Sequence, residues 1–306
     1  MGDAFEAWLP TSGTNCPSWF WLAEYDRLYP YVDGVVLDVG CNVGYSSAKL
    51  LRMYATEYGF GPSEVFTYGR DLAVDGLPAD QTCGACNDCK EDDALTGIAR
   101  PGLVIHCFEP SKNHFQRLLA IRSKFMAGRP RRWQLHNVAI SNTANGMLDF
   151  PAEGCGELCA VSQRDAQGLS AVGRDRTLTT DVDSVVRSFP HGTRFMMLKI
   201  DTEGHDVHAL TGAGHSIKRG VFDIITFESG TIGDWADASL SSVVSIEGAI
   251  LEGGPYACFY DGKTRVFPMS DGCFDERMDA KSWSNKVCVN RRLEGLLEYM
   301  FNSTGL

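Results

Sequence analysis

The stretch Val35-Val36-Leu37-Asp38-Val39-Gly40-Cys41-Asn42-Val43-Gly44-Tyr45-Ser46 decides the fold. An apolar run that holds one acid suits a parallel strand buried on both faces. Gly40 and Gly44 then admit a tight turn in which backbone approaches a ligand closely. The spacing predicts a helix from about Tyr45 to Met53. A dinucleotide fingerprint places three glycines as G-x-G-x-x-G. Asp38-x-Gly40-x-Asn42-x-Gly44 has only two, which argues against NAD.

Outward from this turn, Leu103-Val-Ile-His-Cys-Phe108-Glu109-Pro110 reads as a second strand ending in a carboxylate, before a helix that Ser111 caps. A short acid at that strand end can accept from both hydroxyls of a ribose. Its plain alternative is a solvated strand-end acid. Trp133 to Ile140 reads as a third strand and Arg194 to Ile200 as a fourth. The fourth discharges into Asp201-Thr202-Glu203-Gly204-His205-Asp206 and carries Lys199. Several titratable groups thereby gather at the edge where open α/β sheets bind ligands, although Asp206 and Glu203 also suit helix capping and surface charge.

The acidic-x-Gly-x-(Gly/Asn)-x-Gly turn resembles the first motif of class I methyltransferases. Together with Phe108-Glu-Pro-Ser, Asn137-Val-Ala, Leu198-Lys-Ile-Asp-Thr-Glu-Gly-His-Asp and Phe227-Glu-Ser, it resembles the FkbM family of S-adenosylmethionine-dependent methyltransferases from about Val35 to Glu228, with one insertion. The resemblance implies a Rossmann-like α/β fold: a seven-stranded, mostly parallel sheet of order 3-2-1-4-5-7-6 with helices on both faces. It implies S-adenosylmethionine as cofactor, with Asp38, Gly40, Asn42, Gly44, Glu109 and Asn137 as cofactor-binding residues. The expected reaction is O-methylation of a hydroxyl on a small molecule or sugar. Methyl transfer from a reactive sulfonium leaves the protein to align the acceptor and take its proton. His205 is the first candidate base, since unperturbed histidine titrates near pH ~6.5. Asp201 and Glu203 can orient it or bind the acceptor, and Lys199 can neutralise an alkoxide or pair with an acid. No metal site is assigned, although Asp201, Glu203 and Glu228 are oxygen ligands suited to magnesium.

Farther along, the pattern predicts a helix from His205 to Gly212, a strand Val221 to Phe227, a helix Ala238 to Leu251, and strands Tyr256 to Asp261 and Ser284 to Asn290. Met147 to Phe150 and Arg176 to Thr180 suggest short extra strands, with part of a lid between them. One methyltransferase domain over residues 1–306 is expected, with an N-terminal helical extension to about residue 32. The aromatic cluster Trp19-Phe20-Trp21 there reads as packing. The insertion, about residues 58–102, reads as loop-rich. Its Cys83-x-x-Cys86-x-x-Cys89 fits disulfides, free thiols or metal. Cys41 and Cys107 read as small buried hydrophobes.

The chain has 306 residues, 44% of them hydrophobic, enough for one large core. A net charge of −11 and no Lys/Arg-rich run argue against nucleic acid as partner. No stretch reaches the ~18 to 20 apolar residues of a membrane span. Eleven cysteines are an odd number, so at least one is free or intermolecular. The default compartment is the cytoplasm, and paired cysteines would instead indicate a secretory lumen. Two other readings stand beside the enzyme: a methyltransferase fold that has lost catalysis and serves as a binding or regulatory protein, and an NAD-dependent oxidoreductase.

Overall fold

The computed structural model describes residues 1–30, 33–72, 83–84, 86–90, 99–128, 130–151, 174–230, 233–236, 254–279 and 283–304. Its strands are Val35–Val39 (β1), Val104–Phe108 (β2), Trp133–His136 (β3), Ala139–Ile140 (β4), Met147–Pro151 (β5), Arg174–Thr180 (β6), Phe195–Ile200 (β7), Phe222–Ser229 (β8), Tyr256–Asp261 (β9), Val266–Pro268 (β10) and Ser284–Asn290 (β11). β3, β2, β1, β7 and β8 run parallel in that spatial order, and β11, β9 and β10 continue the sheet antiparallel.

The sheet therefore has eight strands rather than the expected seven, and its full order differs accordingly. The added strand, β10, pairs outside β9 while the other seven keep their expected relative sequence. Three residues are too few to show a period of two, and Pro268 suits an edge. A second correction concerns Trp133 to Ile140. This run breaks at Asn137, whose Nδ2 donates to the carbonyls of Glu109 (2.8 Å) and Pro110 (3.1 Å). β3 stays in the main sheet, whereas β4 pairs with β6 in a second sheet of order β4-β6-β5.

Alternation along the central strands sends side chains into two cores. Val36, Ile105, Met197 and Ile224 meet the helices Trp21–Leu28 and Tyr45–Tyr54 on one face. Leu37, Leu198, Ile200 and Phe227 pack on the other with Leu210 and Ile217. Burying each such side chain contributes roughly 1.5–3 kcal/mol before its entropy cost. Trp21 is wholly buried and its Nε1 donates to Asp261 (3.1 Å), so it packs the N-terminal segment onto the sheet.

The region expected as a loop-rich insertion begins with a helix, Pro62–Asp71, because Glu64 reaches back to the Gly61 N–H (2.8 Å) and Pro62 fits its first turn. Four disulfides lie among the described residues: Cys16–Cys86, Cys41–Cys107, Cys83–Cys89 and Cys258–Cys288. Cys41 and Cys107 are thus buried and also bonded to each other, while Cys273 is free. The helix expected over 238–251 and most of the lid, 152–173, lie outside the described residues.

Candidate functional site

β1 has parallel neighbours on both sides, β2 next in the chain and β7 much later, so its carboxyl end is a switch point where an open sheet leaves a crevice. A cleft opens there, lined by Gly40, Asn42, Glu109, Asp201, Glu203 and His205 together with Phe108, His114, Ile140 and Phe150.

The turn after β1 is shaped by close approach. Gly40 takes φ 72°, and a Cβ on it would collide with the Asp201 carbonyl oxygen. The Gly40 N–H donates to the Phe108 carbonyl (3.0 Å), and Gly44, at φ 94°, opens the helix Tyr45–Tyr54. Beneath the turn, Asp38 is wholly buried. It accepts from Ser47 Oγ (2.6 Å) and lies 3.2 Å from Lys199 Nζ. Lys199 also lies 3.4 Å from Asp201 and donates to the Gly40 carbonyl (3.3 Å). Burial alone would lower its pKa, but the Asp38 and Asp201 carboxylates outweigh burial and raise it. Lys199 is therefore a buried cation clasping β1 to β7.

Glu109 stands at the end of β2, one oxygen accepting from the Asn42 N–H and the other from the Ser111 N–H, each at 2.8 Å. Burial pushes its carboxyl up to about 8, against the pull of those two donors and of Lys199. After β7, the turn 201–206 is organised from within. Asp206 accepts from Thr202 Oγ1 (2.9 Å) and from the N–H groups of Thr202 and Gly204 (3.3 Å each), and burial raises it to about 6. Glu203 sits in the left-handed region at φ 53° while lining the cleft, the kind of backbone outlier that marks functional sites. Glu228, at the end of β8, hydrogen-bonds Asp201, and burial with the charges of Asp201, Asp206 and Glu203 pushes its pKa well above the usual carboxylate range. His205 Nδ1 lies 3.1 Å from Asp234 and its Nε2 3.1 Å from Ser141 Oγ. Burial, reinforced by His208, lowers its pKa despite Asp234.

Of the residues expected at the site, Gly40, Asn42, Glu109, Asp201, Glu203 and His205 come together on the cleft wall. Asp38 and Lys199 lie behind the turn, Gly44 packs toward Leu118 and Trp133, and the Asn137 amide is spent on backbone. Sequence reasoning missed His114 and Phe150, whose burial at the cleft no local pattern marks, and Asp234, which reaches His205 across 29 residues. It also missed Asp88, an exposed acid in the Cys83–Cys89 loop within electrostatic reach of Asp201, Lys199 and Lys49.

A family model described as the Methyltransferase FkbM domain matches residues 82–246, more than half of the chain. Among solved structures, the chain resembles the methyltransferase FkbM from Methylobacillus flagellatus KT at 13% identity and TM-score 0.40, covering 84% of this chain and 43% of that one. It resembles the bifunctional kinase-methyltransferase WbdD at 9% and 0.39, covering 89% and 37%. A precorrin-6y C5,15-methyltransferase from Geobacter metallireducens GS-15 matches at 9% and 0.33, covering 88% of each chain. The chain thus spans less than half the length of the first two. No curated protein matches.

Proposed function

This chain belongs to the FkbM methyltransferase family, and on that premise we propose that it transfers a methyl group from S-adenosylmethionine to a hydroxyl of a small molecule or glycan. The observation that carries the reading is the meeting of the Gly40 turn, the Glu109 carboxylate and the Asp201–Glu203 turn around one cleft. The cleft fits the cofactor: Glu109 would hold the ribose hydroxyls, and the Gly40–Asn42 turn, bare of a Cβ at Gly40, would hold the methionine part. When bound, S-adenosylmethionine supplies a methyl group already activated on sulfur.

The chain's own work is alignment and proton acceptance. In this reading Asp201, flanked by Lys199 and Glu228, accepts the acceptor's proton, and Glu203 positions the hydroxyl. His205, the base expected from sequence, has both ring nitrogens committed to Asp234 and Ser141, so in this reading it holds the turn. The disulfides support an oxidising compartment over the cytoplasm.

Calorimetric titration with S-adenosylmethionine and S-adenosylhomocysteine, with NADH as control, tests the cofactor, and a gain of one methyl mass across a panel of hydroxylated acceptors tests the reaction. Micromolar binding of the adenosyl ligands alone with methylation of an acceptor is expected. Binding without transfer to any acceptor moves the protein to the non-catalytic reading, and no adenosyl binding by folded protein sinks the proposal. Asp201→Asn should lower kcat far more than it changes cofactor affinity.

A further inference from the structure

His205, His208 and Asp234 bring Nδ1, Nε2 and a carboxylate oxygen within 4.8 Å of one another beside the turn that follows β7. We propose that these three side chains bind a divalent transition metal of the zinc class. His205 Nδ1 lies 3.1 Å and His208 Nε2 3.4 Å from the same oxygen, Asp234 Oδ2. Donors held ~2.0–2.1 Å from a tetrahedral zinc stand roughly 3.3 Å apart. The two distances therefore already match two edges of such a tetrahedron. Two imidazoles and one carboxylate form a borderline donor set that suits zinc, whereas magnesium and calcium prefer oxygen alone.

The convergence is built into the backbone. His205 and His208 bracket the first turn of the helix Asp206–Thr211, three residues apart and so on one face, with ring centroids 4.6 Å apart. Asp234 lies in the short turn Gly233–Ala236, and its N–H donates to the Gly204 carbonyl (2.9 Å). Gly233, at φ 59°, comes so close that a Cβ would stand 2.7 Å from that same carbonyl oxygen. The site thus joins two chain segments whose approach is fixed before any ion arrives.

The second nitrogen of His205 supplies an independent argument. Ligating imidazoles ordinarily spend their other N–H on an outer partner, and His205 Nε2 has Ser141 Oγ at 3.1 Å. In the tautomer with its hydrogen on Nε2, His205 donates to Ser141 Oγ and presents the Nδ1 lone pair on the Asp234 side, as a metal ligand would. His205 is buried, but the side chains of His208 and Asp234 are 37% and 32% exposed, which gives an ion a path in and leaves a fourth position for water. A bound ion would fasten the turn bearing Asp201 and Glu203 to the loop after β8.

The test is calorimetric titration of zinc chloride into the chelator-dialysed full chain and into His208→Ala, Asp234→Ala and Asp234→His, with circular dichroism to confirm folding. One ion per chain is expected in the unsubstituted protein, with a rise in Tm. Affinity should drop at least about tenfold in both alanine variants and return in Asp234→His, which offers a third imidazole. Zinc affinity unchanged in the folded alanine variants, or no stoichiometric binding by the unsubstituted protein, overturns the proposal. Because the readout is metal affinity, it is independent of whether the methyl-transfer reading stands.

Discussion

Replacing Asp38 by Asn probes whether the first turn is held by charge beneath it or serves the cofactor directly. The Asp38 carboxylate is wholly buried, 2.6 Å from Ser47 Oγ and 3.2 Å from Lys199 Nζ, and the Lys199 side chain is only 7% exposed. Asparagine keeps the shape and removes the charge, leaving a buried ammonium whose remaining ion pair among the described residues is with Asp201, 3.4 Å away and 41% exposed. Neutralising one member of a buried pair costs about 3–5 kcal/mol. The solvent-shared contact to Asp201 offsets at most about 1 kcal/mol. A net loss of about 2–4 kcal/mol follows. Lys199→Met removes the stranded charge, so the double variant should be more stable than the sum of the single losses by over about 1 kcal/mol. Urea unfolding followed by tryptophan fluorescence measures all corners of the cycle, and titration with S-adenosylhomocysteine reports on the cleft. Because Asp38 does not line the cleft, cofactor affinity of the folded variant should change less than in Glu109→Ala. A stability loss under about 1 kcal/mol, or additive variants, would refute the clasp.

Glu109→Ala should weaken S-adenosylhomocysteine binding by about 10- to 100-fold, the worth of a charge-assisted hydrogen-bond pair. Since burial pushes the Glu109 carboxyl up to about 8 and the ionised form is the better acceptor, affinity should tighten from pH 7 to 9 and lose that slope in Glu109→Gln; a flat profile in the unsubstituted protein contradicts the assignment. Burial also raises Asp261 to about 7. Folded Glu109 and Asp261 thus keep protons that the unfolded chain has released, so the stability they contribute falls as pH rises toward about 8. The buried histidines His106 and His114, lowered to about 4, work the other way at lower pH, because their unfolded forms, titrating near ~6.5, still bind protons that the fold excludes up to about pH 7.5; above about 7.5 only the acids remain, and a urea midpoint that rises from about 7.5 to 8 would contradict this sign. Removing the Cys16–Cys86 bond, which closes 70 residues, by Cys16→Ser with Cys86→Ser should cost about 4 kcal/mol in urea unfolding. A cost below about 1 kcal/mol would show that the unfolded chain gains no freedom from the loss.

The central strands were legible because a parallel strand buried on both faces reads as a continuous apolar run, and the turn because Gly40 and Gly44 punctuate it. Ser111 caps its helix through the His114 N–H, a signal that sits within four residues. What escaped is non-local. No glycine or proline marks the break at Asn137; it is made by carbonyls from the end of β2. Cys41 and Cys107, 66 residues apart, become partners only once β1 and β2 are in register. Asp38 and Glu109 show the limit most sharply within the site. Both are acids in or ending an apolar strand, yet one is sealed against Lys199 and the other opens on the cleft.

The insertion expected over about residues 58–102, whose cysteines fall within the family match that starts at residue 82, bears on the site through its disulfides. Cys83–Cys89 closes a small loop, and Cys16–Cys86 ties that loop to the segment joining the two N-terminal helices. Cys89 is buried in the same core as Trp21 and Leu50, so the loop is anchored by packing as well as by sulfur. Asp88, next to that anchor, lies within electrostatic reach of Asp201 and Lys199, the residues that join the cofactor turn to the proposed acceptor side. Loops that vary among relatives ordinarily set what an α/β enzyme accepts, because the sheet supplies the common chemistry. Here the loop is tied by disulfides, so Asp88 is held within electrostatic reach of Asp201 by covalent bonds as well as by packing.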